Sequence, residues 1–244
     1  MPRGFSFHIG LNTVDPLHYQ NLKDLQGAVN DAYDYQQIAQ EHFNYSSSRI
    51  LINEQATAQN VIEHLDFLSN ESELGDIVFI SYSGHGGLVD SLEGPEGDEP
   101  TDETWCLYDR QLIDDEIYDA FRKFKKGVRI VVISDSCHSG TVIKSTPEAD
   151  DEDDPDFDDS NLMHELAGVV DEIPAEYINL DLMSRDLDQH LIAEVYYGNR
   201  DIYEPIQEKY KAQPKKENIE ASVKLFAACQ DHQVTFDGPE NGRF

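Results

Sequence analysis

Two short segments hold the residues of this chain that could do chemistry. One is Ser83-Gly84-His85-Gly86-Gly87 and the other is Asp135-Ser136-Cys137-His138-Ser139-Gly140. An imidazole beside a thiol makes a nucleophilic pair. The ring takes the thiol proton, the thiolate attacks a carbonyl, and the ring then protonates the leaving amine. Glycines on either side of His85 let an extended peptide approach and leave backbone N–H groups accessible. Those of Gly86 and Cys137 are candidates for holding a tetrahedral oxyanion. Taken singly, each residue has a plainer reading: a cysteine after a strand is more often a small core residue, and a histidine among glycines is more often part of a turn. His138 adjoins the nucleophile in sequence, but neighbouring side chains on a tight turn diverge, so it reads as structural. Cys106 and Cys229 read as buried small residues. Trp105 and Tyr108 either line a groove or pack the sheet.

The pair can meet only if the strands ahead of it run side by side. Residues 76–82, DIVFISY, and 128–134, VRIVVIS, are near-continuous apolar runs, the pattern of strands buried on both faces of a parallel sheet. Further strands are predicted at Phe5 to Leu11, Arg49 to Ile52 and Ser222 to Ala228. Helical spacing of apolar residues predicts helices over 27–43, 57–68 (with Thr57 as N-cap) and 113–124. The composition of residues 162–210 is mostly helical. Strand and helix alternating in this way predict an α/β fold with an open, mostly parallel sheet and helices on both faces. Sites in such sheets lie beyond the carboxyl ends of the strands, where both segments fall.

The 244 residues suit one domain of generous size. With Lys+Arg 18 against Asp+Glu 49, the net charge is −31. Such a surface repels phosphate backbones and anionic lipid, so neither nucleic acid nor membrane is an expected partner. Residues 148–159, EADDEDDPDFDD, have too little apolar surface to offset the entropy of ordering and read as a solvated loop. Three scattered cysteines fit neither a disulfide framework nor a zinc site, and a reducing cytoplasm is the simplest compartment.

YSGHGG at 82–87 and DSCHSG at 135–140 resemble the histidine and cysteine motifs of caspase-like peptidases (clan CD, peptidase C14), on the metacaspase side and among their prokaryotic relatives. His85 precedes Cys137 by 52 residues, comparable with the roughly 50 of caspases. LQGAVNDA at 25–32 resembles the C-x-N-D-A segment of metacaspases, with Ala28 in place of its cysteine, and FAACQDHQVTFDG at 226–238 resembles their small-subunit strand. The resemblance implies one caspase-like domain over 1–244. Its large-subunit part would span 1–144, followed by an acidic and helical insertion at 145–220. A small-subunit part at 221–244 would end at GRF, where the family continues into another helix. It further implies a cysteine endopeptidase with His85 as general acid/base, Cys137 as nucleophile, and an S1 pocket lined by Asp31, Ser83 and Asp135. Paired carboxylates there would accept bidentate hydrogen bonds from arginine and, less well, bind lysine. Polypeptides with Arg or Lys at the cleavage site are the expected partners.

Many metacaspases need calcium. The metal candidates here are Asp98, Glu99, Asp102 and Glu103, but Lys144 stands where a further aspartate ligand is expected, and an ammonium cannot ligate Ca²⁺. No cofactor is required by the dyad, and no calcium requirement is expected. Two other readings are a catalytically silent scaffold of the same fold and an acidic cation-responsive binding module. If the chain cleaves itself, Lys211, Lys215 and Lys216 lie in a polar connection, whereas Arg185 and Arg200 read as helical, and helices resist cleavage.

Overall fold

The structure is a computed structural model that describes residues 2–20, 22–41, 45, 47–90, 101–136, 183–185, 189–211, 218–227 and 236–237. It begins with strand β1 (Gly4–Gly10), followed by a single turn, α1 (Pro16–Tyr19), then helix α2 (Ala28–Glu41) and strand β2 (Ser47–Ile52). Helix α3 (Ala58–Glu71) starts where expected, because the Thr57 side chain accepts a hydrogen bond from the N–H of Asn60 at 3.2 Å. The two apolar runs are β3 (Ile77–Ser83) and, later in the chain, β7 (Arg129–Asp135). Between them lie β4 (Gly86–Asp90), β5 (Thr101–Cys106), β6 (Gln111–Ile113) and α4 (Asp114–Phe121). After β7 come β8 (Met183–Ser184), helices α5 (Gln189–Gly198) and α6 (Arg200–Lys211), β9 (Ser222–Ala227) and β10 (Phe236–Asp237).

Five strands form one parallel sheet in the order β2-β1-β3-β7-β9. Alternation along the strands divides its two faces. Phe5, Phe7 and Ile9 of β1 point to the side where Val61, Leu65 and Leu68 of α3 and Ile117 and Phe121 of α4 form the main core with Val78, Ile80, Ile130 and Val132. The other side is covered by α2, and here the backbones approach closely. A Cβ added to Gly10 would sit 2.7 Å from both the Ala28 carbonyl oxygen and the Ala32 Cβ. His8 also faces this side, with Nδ1 2.9 Å from the Ser81 Oγ, and burial lowers its pKa to about 4. It is therefore a neutral core histidine.

Beside the mostly parallel sheet that the sequence pattern predicts, the structure has a three-stranded antiparallel sheet, β4-β5-β6. Its strands are short, and Gly86-Gly87 reads as a turn although both residues are in β4. Trp105 of β5 is wholly buried, stacks on Tyr82 at 4.7 Å, and donates its indole N–H to the Ser134 Oγ at 3.0 Å. It thus packs the sheet, and Tyr108 also packs against the core. Val89, Ile113, Tyr196 and Tyr203 make a second cluster that seats α5 and α6 on the small sheet. Residues 183–185 depart from the helical expectation for 162–210, since Met183 and Ser184 pair antiparallel with Asp237 and Phe236. Backbone pairing with a distant strand there overrides the local helix-forming composition. The two-residue strand β10 follows β9 in the chain. No helix among the described residues is long and apolar enough to cross a membrane.

The tight approach at Gly10 is testable. Gly10→Val would force α2 off the sheet and should cost about 1–3 kcal/mol, the usual range for overpacking, read as a lower urea midpoint at unchanged slope. An unchanged midpoint would show that α2 shifts freely.

Candidate active site

The register of the parallel sheet brings the site together. Gly10, Ser83 and Asp135 are paired across β1, β3 and β7, so three strands end at one level. His85 and Cys137 each follow that level by two residues. Cys137 and His138 lie outside the described residues, as do Cys229, Asp98, Glu99, Lys144, Lys215 and Lys216.

His85 is buried, and its backbone is held from two sides. Its carbonyl oxygen accepts hydrogen bonds from the Cys106 N–H at 3.0 Å and the Tyr82 hydroxyl at 2.6 Å. The side chain faces two backbone carbonyls, with Nδ1 3.1 Å from the oxygen of Arg185 and Nε2 2.8 Å from that of Lys23. A neutral imidazole can donate from one nitrogen only, whereas the imidazolium donates from both. Both ring nitrogens thus face acceptors, one on each side. The Arg185 oxygen also accepts from the Gly86 N–H at 3.1 Å.

Asp31, Ser83 and Asp135 are gathered at the same sheet edge and are all buried. Asp31 belongs to the first turn of α2, where a carboxylate also complements the helix dipole. Between the two acids lies the guanidinium of Arg185, which is wholly buried. Nη2 is 2.6 Å from Asp31 Oδ2, and Nη1 is 2.6 Å from Asp135 Oδ2 and donates to the Asp135 carbonyl at 2.9 Å. The Ser83 Oγ has no hydrogen-bond partner among the described residues. Burial pushes the Asp135 carboxyl up to about 6, with the Arg185 charge pulling it down and the Asp31 charge adding to the rise.

Arg185 is the residue between the two acids that the helical reading misses. The signal available was the period-two alternation of Ile178, Leu180 and Leu182, which favours extended chain over helix. Of the metal candidates, Asp102 and Glu103 are described, and both are buried. Asp102 stands with Asp114 and Asp115, and one carboxylate oxygen from each lies within 4.8 Å of the others. The two acids at the head of α4 were thus missed, because they read as ordinary first-turn acids.

A parallel sheet covered on both faces, with a buried histidine and a histidine-to-cysteine spacing of 52 residues, defines a caspase-like α/β fold. Residues 8–146 match the metacaspase, peptidase C14 domain, and the chain belongs to that family. It is 33% identical over 147 residues to Metacaspase-1 of Saccharomyces cerevisiae, covering 55% of this chain and 33% of that protein. Metacaspase-7 of Arabidopsis thaliana is 32% identical over 134 residues, covering 52% of this chain and 33% of that one. The chain therefore spans about a third of the length of the curated relatives it matches. A Geobacter sulfurreducens protein of known crystal structure shares 35% identity at a TM-score of 0.75, covering all of this chain and 79% of that one.

The charges at the site predict a pH dependence of stability. Asp135 holds its proton more tightly folded, to about 6, than unfolded, to about 3.9. Its contribution is therefore favourable below about pH 4 and is lost as pH rises to about 6. Arg185→Gln removes the charge that pulls the carboxyl down, extending this loss to higher pH. Between pH 5 and 8 the variant's melting temperature should fall more steeply than that of the wild type. Parallel slopes would show that the guanidinium does not offset the buried carboxylate.

Proposed function

We propose that the chain is a cysteine endopeptidase that cuts after basic residues, arginine in preference to lysine. The supporting observation is the environment of Arg185. Its guanidinium meets two buried carboxylates, while its carbonyl oxygen meets the Gly86 N–H and the His85 ring. A substrate residue with the same two contacts would have its side chain recognised and its carbonyl polarised at once. Family membership supports the same chemistry.

On this reading, Asp31 and Asp135 select the residue before the scissile bond. A guanidinium reaches both carboxylates with separate nitrogens, whereas an ammonium presents a point charge and an aspartate is repelled. With Ser83 at the strand level of Asp135, these residues make S1. The Cys137 thiolate attacks the carbonyl carbon. Negative charge develops on an oxygen held by the Gly86 N–H and, in the proposed pair, by that of Cys137, and His85 protonates the departing amine. The dyad needs no metal. The oxygen donors of Asp102, Asp114 and Asp115 are of the hard type that calcium takes, and these residues would hold such an ion, which would brace the small sheet against α4.

Cys137→Ala should abolish cleavage of an Arg peptide, and His85→Ala should reduce it by several orders of magnitude. In a peptide library Arg should be favoured over Lys, with Asp uncut. A variant Cys137→Ala retaining more than about a hundredth of the activity, or a preference for Asp, would overturn the reading. A silent scaffold would bind the Arg peptide and leave it whole. Chelation with EGTA should cost less than about tenfold in kcat/KM, or roughly 1.4 kcal/mol. Calcium added back should raise the melting temperature less in Asp114→Asn than in the wild type. An all-or-none loss of cleavage in EGTA would contradict the metal-independent dyad.

A further inference from the structure

Strand β2 is an edge of the parallel sheet, and among the described residues it pairs with β1 alone. The register sets Arg49 beside Phe7 and Leu51 beside Ile9, so both side chains rise on the α3 side. Asn60, Glu63, His64 and Phe67 follow one another at the three- and four-residue steps that align side chains on one helix face. With Arg49 and Leu51 they line an open groove of about 400 Å³. Phe67 is 47% exposed, although its ring stacks on His64 at 5.4 Å and His64 in turn meets Phe7 at 4.5 Å. Burial, and then the Arg49 charge, lowers the His64 pKa to about 4, so that ring is neutral and Arg49 is the cation of the groove. Among the described residues the Arg49 guanidinium bonds to no acid. Glu63 takes the Gln59 amide at 2.6 Å, while Arg3, Arg110, Arg122, Arg185 and Arg200 each meet a carboxylate. In a chain of 49 acids and 18 bases, an arginine with no acid beside it is the exception.

We propose that this edge is a docking site for an extended segment of a partner protein, one that carries a carboxylate with an apolar side chain two residues away. A strand added to β2 bonds to its outward main-chain groups, which gives affinity whatever the sequence, and the groove beside it selects the side chains. A carboxylate across from Arg49 on the same face lies about 5 Å from it, Cβ to Cβ, within reach of the paired hydrogen bonds that a guanidinium makes. The next side chains on that face stand two residues either way, about 6.6 Å along the strand. That spacing is close to the roughly 6 Å rise of a four-residue step on α3, so an apolar side chain there is in register with the groove's exposed ring. A charge placed only to deter strand addition would not need an aromatic ring left half-exposed beside it. A second copy of the chain fits less well. Two chains of net charge −31 repel one another, and antiparallel pairing of β2 with itself would set two Arg49 side chains together. Docking here is independent of the peptidase chemistry, because β1 lies between β2 and β3.

The probe is a fluorescein-labelled peptide, Thr-Phe-Thr-Glu-Thr-Phe-Thr, which offers no basic residue to the acidic pocket. Its anisotropy is titrated with the full chain, and hydrogen exchange of residues 47–52 is followed with and without it. Binding should saturate and should slow exchange across β2. Arg49→Gln should weaken binding about fivefold, the upper range for an exposed ion pair. The same variant should bind a peptide with Gln in place of Glu as the wild type does, so the two changes are not additive. Phe67→Ala should lower affinity, and proline in place of a central threonine should abolish binding, because it removes a main-chain donor. Arg49 and Phe67 are both exposed, so these variants should melt with the wild type. Arg49→Lys keeps the charge without the fork and should fall between wild type and Arg49→Gln. Cys137→Ala should bind the probe as the wild type does, whether or not the chain proves to be a peptidase. Binding that does not saturate, or that ignores both Arg49→Gln and Phe67→Ala, would overturn the inference. So would a concentration-dependent dimer in light scattering that protects residues 47–52 without peptide, since the occupant would then be a second copy.

Discussion

Three parallel strands ending at the same level are the constraint on which the site depends. Because Gly10, Ser83 and Asp135 share one register line, the segments that follow β3 and β7 leave the sheet together. A slip of one residue between β3 and β7 would turn Asp135 to the opposite face, since side chains alternate along a strand. The register is secured by the core beneath it. Val78 and Ile80 alternate with Phe79 and Ser81, and Ile130 and Val132 do the same in β7, so that only one pairing buries both apolar sets under α3 and α4. The chemistry at the edge therefore rests on hydrophobic burial several residues away.

The buried charges at that edge would be costly without their arrangement. Two carboxylates and a guanidinium removed from water lose several kcal/mol of hydration each, and only close pairing offsets this. Arg185 provides such pairing for Asp31 and Asp135, yet the raised Asp135 carboxyl shows that the offset is partial. A pocket of this kind favours an occupant that brings its own positive charge.

Much of this was legible in the amino-acid order. The apolar runs ending at Tyr82 and Ser134, the helical spacing around Val61 and Leu65 and the cap at Thr57 follow from local periodicity and cap chemistry, and the structure has them nearly residue for residue. The gathering of Asp31, Ser83 and Asp135 was reached through family resemblance. The antiparallel sheet was not legible, because β4 opens with two glycines and β6 has three residues, too few to display a period. The meeting of Arg185 with its two acids was not legible either, although the extended chain before it was. The partners of Arg185 stand 154 and 50 residues away in sequence, and no local pattern encodes such a meeting. Asp114 and Asp115 were hidden differently, as acids in a first helical turn need no further explanation.

Trp105 is the chain's single tryptophan. Its ring lies flat on Tyr82, whose hydroxyl holds the His85 carbonyl, and its N–H reaches Ser134, whose Oγ is 3.3 Å from that of Ser136. One indole therefore touches the ends of both strands that carry the chemical segments. Fluorescence from this chain has a single dominant source, situated under the site and shielded from solvent. The protein thus carries a built-in optical gauge of its strand ends, readable without any attached dye.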